Sequence, residues 1–189
     1  IHERLVGSEM CIRDSLYAEE LKAEGGVISG EQFVDECQVE SDLELLLPAT
    51  YVTGSSERML LYRELDSLTL DKDVEAFRNR LIDRFGPVPS ETEELLRIVP
   101  LRRLAARLGA EKVFLKGGRM SLFFISNPES PYYQSQAFGK VIAYMMKYTR
   151  RCDLREQNTR RSMLVKDVKN VETAVGVLQE IVAMQVEEG

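Results

Sequence analysis

Carboxylates, thiols, hydroxyls and guanidiniums are the side chains of this sequence that could do chemistry, and each needs a partner at a workable spacing. Glu91, Glu93 and Glu94 stand close enough together to be imagined as metal ligands. Carboxylates in the first turn of a helix ordinarily do something plainer, complementing the positive end of the helix dipole, and the same reading fits Asp71 and Asp73. A nucleophilic serine needs a base, yet the chain holds 1 histidine, His2 at its start, and no Ser-x-x-Lys arrangement. The 3 cysteines, Cys11, Cys37 and Cys152, are scattered without metal-ligand spacing and read as passive, reduced thiols of a cytoplasmic protein. Gly117-Gly118 is followed by Arg119-Met120, so it lacks the lysine and hydroxyl of a phosphate-cradling loop. ATPase, nuclease and hydrolase chemistry are not expected, and no cofactor or metal is implied.

The arginine groups carry more weight. Arg102, Arg103 and Arg107 fall in one segment, and Arg150, Arg151, Arg155, Arg160 and Arg161 in another. The plain reading is a solvated face beside a helix C-terminus; the functional one is a docking surface for an acidic partner or nucleic acid. Lys and Arg total 25 against 31 Asp and Glu, a net charge of -6 and a pI near 5.1. Affinity for nucleic acid comes largely from neutralised phosphates, so a dedicated binder would be basic. Aromatic side chains do not interleave with these arginines along the chain, which removes the stacking platforms a single-strand binder wants. Direct nucleic-acid contact is therefore not the expectation, and a nucleic-acid-binding module built on the arginine clusters stands as the alternative.

The elements that must position these residues follow from periodicity. Residues 1–36 have no sustained pattern and contain Gly25-Gly26 and Ser29-Gly30, so they read as linker or tail; Ile1 to Ser15 resembles translated adaptor sequence and looks non-native. Residues 37–189 then form one domain. Leu43, Leu45 and Leu47 alternate until Pro48, which predicts a strand with one buried face. Ser55 and Ser56 sit where a cap is wanted before a helix carrying Leu61, Tyr62, Leu65 and Leu68. Asp71 is placed to cap a second helix whose stripe is Val74, Phe77, Leu81 and Phe85, with the stem of Arg78 beside it, until Gly86-Pro87. A third helix runs from Glu91 to Leu108, is expected to kink or split at Pro100, and ends on Gly109.

Val113 and Leu115 before Gly117-Gly118, and Met120, Leu122 and Phe124 after it, predict a hairpin whose turn needs positive φ at both glycines. Ser130-Pro131 opens another helix carrying Phe138, Val141, Ile142, Met145 and Tyr148. Short strands follow around 152–156 and 162–166, and Asn170 caps a last helix with the stripe Val171, Ala174, Val175, Leu178, Ile181 and Val182. The expected class is α+β, a small and largely antiparallel sheet covered by several helices. No run approaches the roughly 18 to 20 apolar residues that span a bilayer, and no signal peptide is seen.

Read in order, Leu43-Glu44-Leu45-Leu46-Leu47-Pro48, Tyr51-Val52, Glu57-Arg58, Tyr62-Arg63-Glu64-Leu65 and above all Leu81-Ile82-Asp83-Arg84-Phe85-Gly86-Pro87-Val88-Pro89 resemble the carboxy-terminal domain of bacterial transcription-repair coupling factors, as do Leu95-Leu96, Leu101-Arg102 and Leu108-Gly109. The likeness covers residues 38 to 184. In that family the whole protein is an ATP-dependent DNA translocase that removes stalled RNA polymerase and recruits UvrA for nucleotide excision repair. The resemblance implies that this domain is non-catalytic and regulatory, packing on the UvrB-like amino-terminal module of the same protein and masking its UvrA-binding surface. UvrA and RNA polymerase are then indirect partners, reached through the parent protein. Asp83 lies opposite Val74 and Phe85 at about 100° per residue, flanked by Ala76, Asn79 and Arg80. The resemblance carries Asp83 over as an interdomain contact, with Arg80 and Asn79 as neighbours. The family often has an acid where this chain has Arg80.

Overall fold

Residues 32–187 are described by the computed structural model of this chain. The reading of Ile1 to Ser15 as non-native, and most of the tail expected over 1–36, lie outside the described residues; of the remainder, Val34 is buried in the core at 5% exposure. The elements are β1 (Gln38–Ser41), α1 (Ser55–Ser67), α2 (Asp71–Phe85), α3 (Ser90–Arg107), β2 (Ala110–Lys116), β3 (Arg119–Phe124), a 3₁₀ turn (Pro131–Gln134), α4 (Gln136–Lys147), β4 (Cys152–Gln157), β5 (Arg160–Val165) and α5 (Val171–Ala183). The strands make one five-stranded sheet in the order β1-β2-β3-β5-β4. The β1–β2 pair is parallel and every other pair antiparallel, so the expected α+β class with a largely antiparallel sheet holds.

Two apolar cores organise the chain, and α3 serves both. Its first half gives Leu96 and Val99 to a helical cluster with Leu47, Val52, Leu61, Leu65, Phe77 and Leu81. Its second half gives Leu101, Leu104, Ala105, Ala106 and, just past its end, Leu108 to the core over the sheet. Pro100 falls where the buried face changes, and the helix runs through it unbroken, so the expected split does not occur. Both ends of the chain's alternating hairpin behave as read. Gly117 and Gly118 have φ of 62° and 70°, and Val113, Leu115, Met120, Leu122 and Phe124 all face the core.

Several boundaries differ from expectation for local reasons. The strand predicted through Leu43, Leu45 and Leu47 instead ends at Ser41. Its hydroxyl donates to the Leu115 carbonyl (3.2 Å) and accepts the Leu43 N–H (3.0 Å), which closes a turn and ends the ladder. The leucine alternation has a different cause, because Leu43 and Leu45 pack on the sheet core while Leu47 is buried in the helical cluster. Ser55, Ser56 and Asp71 do not cap: Gly54 and Leu70 hold those positions, and the Asp71 carboxylate accepts from Arg103 at 2.8 Å. Ser130 caps only the 3₁₀ turn, accepting from the Tyr132 N–H, and Ser135 caps α4 by accepting from Phe138. Asn170 does cap α5, taking the Thr173 N–H at 2.7 Å.

Candidate functional site

The second helix is fixed on its inner side and exposed on its outer side. Phe77 and Leu81 are each 1% exposed. Arg78 lays its guanidinium on Glu93 of α3, with Nη2 at 2.7 Å and Nε at 3.0 Å from Oε1, a fork geometry that ties α2 to α3. At the C-terminal end the Tyr51 hydroxyl donates to the Gly86 carbonyl at 2.8 Å, and Gly86 takes the positive φ of 86° that turns the chain into Pro87. The motif from Leu81 to Pro89 is thus a helix end pinned from three directions.

On the outer side Ala76, Asn79, Arg80 and Asp83 are all exposed, as the angular argument places them. Arg80 donates to Glu64 and Arg84 to Glu57, so two ion pairs strap α2 to α1. Arg80 also lies over the Phe77 ring, 5.5 Å from its centroid. Asp83, between those arginines in sequence, has no hydrogen bond or ion pair among the described residues. Sequence reasoning missed the neighbouring apolar ground: Met59 and Leu60 of α1 are 58% and 63% exposed. Leu60 is one helical turn from both Glu57 and Glu64, so it projects between the two ion pairs. The signal was available, since both residues fall off the Leu61–Leu65 stripe.

The first arginine group does not make a shared basic surface. Arg103 is committed to Asp71 (2.8 Å) and to the Thr69 carbonyl (3.3 Å). Arg107 is half-buried, and burial first and Arg103 second hold its guanidinium below the ordinary value. Burial pushes the Cys37 thiol up to about 12, with the charge of Arg102 acting in the opposite direction. The glutamates at the start of α3 are also in structural use, Glu93 by Arg78 and Glu94 by the Glu172 N–H at the start of α5 (3.1 Å). Among the described residues no three His, Cys, Asp or Glu side chains are placed to hold a metal. No helix among them is long and apolar enough to cross a membrane.

The late arginines correct one expectation. Aromatic and basic side chains do meet in space: the Arg160 guanidinium of β5 lies 5.3 Å from the centroid of Phe123 on the neighbouring β3, and that of Arg161 lies 4.3 Å from Tyr133 of the 3₁₀ turn. Sheet pairing brings together residues that are far apart in sequence, which a linear scan does not register.

With this geometry, the chain was compared with known proteins. The family model of the TRCF domain matches residues 41–135. A transcription-repair-coupling factor of Rickettsia bellii is 30% identical over 132 residues, 69% of this chain and 11% of that protein. Those of Rickettsia prowazekii and Staphylococcus haemolyticus are each 25% identical, over 92% and 66% of this chain. The chain spans only 11% to 16% of the length of these relatives. A crystal structure of the C-terminal domain of a transcription-repair coupling factor superposes with a TM-score of 0.59 at 20% identity, covering 78% of this chain and 96% of that one, which establishes the shared fold. The family match, over a segment that contains the Leu81 to Pro89 helix end and the hairpin, makes this chain a member of the TRCF domain family of transcription-repair coupling factors.

Proposed function

We propose that residues 37–189 act as a regulatory, non-catalytic domain of a cytoplasmic transcription-repair coupling factor. It packs on the UvrB-like amino-terminal module of the same protein and masks that module's UvrA-binding surface until the motor engages a stalled RNA polymerase. The observation that carries this reading is Asp83, exposed on the outer face of α2 and without a partner among the described residues, while Arg80 and Arg84 are both committed to α1. A carboxylate that serves no contact inside its own domain is available to accept a bidentate arginine from another. Arg80 and Asn79 supply polar margin, and exposed Leu60 beside them offers a small apolar anchor. A latch must close firmly and still release when the motor changes shape, and a modest, largely polar interface meets both demands.

Titration calorimetry of this chain against the isolated UvrB-like module tests the reading. Binding that is lost on Asp83→Arg and restored by an arginine-to-aspartate change in the module supports it; equal affinity of Asp83→Arg and the unaltered chain refutes it. The rival, nucleic-acid binding through Arg102, Arg103 and Arg107, is disfavoured by the Arg103–Asp71 pair and by the half-burial of Arg107.

A further inference from the structure

Among the described residues one face of the sheet is buried under helices, and the other carries an unusual set of side chains. Strand alternation places Phe114 of β2, Ser121 and Phe123 of β3, Ser162 and Leu164 of β5 and Arg155 of β4 on the open side. The register shifts between Ala110 and Lys112, a bulge that turns both Glu111 and Lys112 to that side as well. The two phenyl rings meet edge to face with centroids 5.3 Å apart. Nζ of Lys112 and of Lys116 lie 4.7 and 4.9 Å from the Phe114 centroid, and Arg160 covers Phe123 at 5.3 Å.

Beside Phe123 the surface sinks into a groove of about 350 Å³, lined among others by Ser121, Arg155, Gln157, Arg160 and Ser162. One observation marks this groove as more than a gap between side chains. The Nε of Arg160, whose side chain lines it, is buried with no hydrogen-bond partner among the described residues, an orphan donor of the kind folded proteins rarely leave. The β4–β5 turn at its rim, Asn158-Thr159, has the positive φ of 53° and 66° that a two-residue hairpin demands. Charge is locally reversed as well. Lys112, Lys116, Arg119, Arg155 and Arg160 outnumber Glu40, Glu111 and Asp153 on this face, in a chain whose net charge is -6.

We propose that this open sheet face is a binding site for single-stranded nucleic acid, separate from the α2 latch. Bases stack on Phe123 and Phe114, and a backbone phosphate in the groove accepts from Arg155 and from the hydroxyls of Ser121 and Ser162. A nucleotide supplies in one unit both things the face offers partners for, a flat ring and an anion. An acidic peptide would satisfy the arginines and leave the phenylalanines unused, and a duplex keeps its base faces hidden. Because Arg155, Arg160, Lys112 and Lys116 each already touch a carboxylate at 2.9 to 3.3 Å, binding is modest and strongly salt-dependent.

The test is fluorescence anisotropy of a labelled oligo-dT of about 12 nucleotides titrated with the full 189-residue chain. Expected is binding at about 50 mM salt that weakens at least tenfold by about 200 mM. Phe123→Ala weakens it about tenfold, and Phe123→Leu, which keeps an apolar side chain and the fold, weakens it comparably with an unchanged melting temperature. Arg155→Ala lowers the slope of log affinity against log salt by about 1. The proposal is overturned by no binding at the lowest salt, by Phe123→Leu binding as the parent does, by a duplex of the same length binding equally well, or by polyglutamate displacing the label as effectively as unlabelled oligo-dT. The last of these would assign the face to an acidic protein instead.

Discussion

Gly109→Ala is the substitution whose cost the structure allows to be worked out most fully. Gly109 ends α3 at φ of 81°, where a side chain costs about 1 to 2 kcal/mol from backbone sterics alone. An added Cβ would also sit 2.8 Å from Cδ2 of Tyr132, and closer still to Cε2 and Cζ. The ring cannot step aside cheaply. Tyr132 is 0% exposed and packs against Phe33, Phe124, Tyr133 and Phe138 with centroids 5.1 to 6.2 Å away. Its hydroxyl donates to the Leu108 carbonyl, one residue before the glycine. Overpacking adds about 1 to 3 kcal/mol and a disrupted buried hydrogen bond a similar amount, for a total of about 3 to 8 kcal/mol. That is a large share of a typical folding stability of about 5 to 15 kcal/mol, and it lowers the melting temperature by roughly 6 to 30 °C. Gly117→Ala is the control, because Gly117 has φ of 62° and nothing within 4 Å of an added Cβ. It should carry only the backbone cost of about 1 to 2 kcal/mol. Thermal melts followed by circular dichroism compare the two directly. Equal melting temperatures for both variants would refute the assignment of Tyr132 as the wall that requires a glycine.

Two further outcomes follow from the buried polar groups. Thr92 is 0% exposed and its hydroxyl donates to the Leu46 carbonyl at 2.9 Å, so Thr92→Val should lower urea-unfolding stability by about 1 to 3 kcal/mol, and a neutral result would show the carbonyl to be otherwise satisfied. Burial pushes the Cys37 thiol from 9.0 up to about 12 and the Tyr144 hydroxyl from 10.0 up to about 12, and raises Tyr132 in the same direction. Since these folded values exceed the ordinary ones, the unfolded chain loses its protons first. Stability is therefore fully present below pH 9 and falls as pH rises from 9 through about 12; urea midpoints at pH 7, 9 and 10.5 check this, and a flat profile would contradict the burial of these groups.

Local rules served well where one residue's backbone decides the outcome. The glycine pair at 117 and 118, the left-handed Gly109 and the Asn170 cap each act through bonds within a few positions, and each was readable from its neighbours. Leu43, Leu45 and Leu47 misled because period-2 spacing does not reveal that successive leucines go to two different cores. The outer face of α2 was accessible to angular reasoning, so Asp83 was found to point away from the core. What Arg80 does was not, because Glu64 lies on another helix. Arg102, Arg103 and Arg107 look like one cluster in the sequence, but adjacent positions turn by about 100°, and Arg103 pairs with Asp71 while Arg107 is half-buried. The Phe114–Phe123–Arg160 assembly draws on three strands and a bulge, and only the sheet register assembles it.

The proposed part of Asp83 in holding a mask over the UvrA-binding surface is read out by the UvrA affinity of the parent coupling factor. Equilibrium UvrA binding should be compared for the full-length parent and its Asp83→Arg variant without stalled polymerase, alongside thermal unfolding of this chain with and without the change. Reversing a partly desolvated interfacial charge costs the closed state on the order of 2 to 5 kcal/mol. Expected are clearly tighter UvrA binding by the variant and an unchanged melting temperature of the domain, because Asp83 is exposed and has no partner among the described residues. Unchanged UvrA affinity at unchanged stability would contradict this part for Asp83.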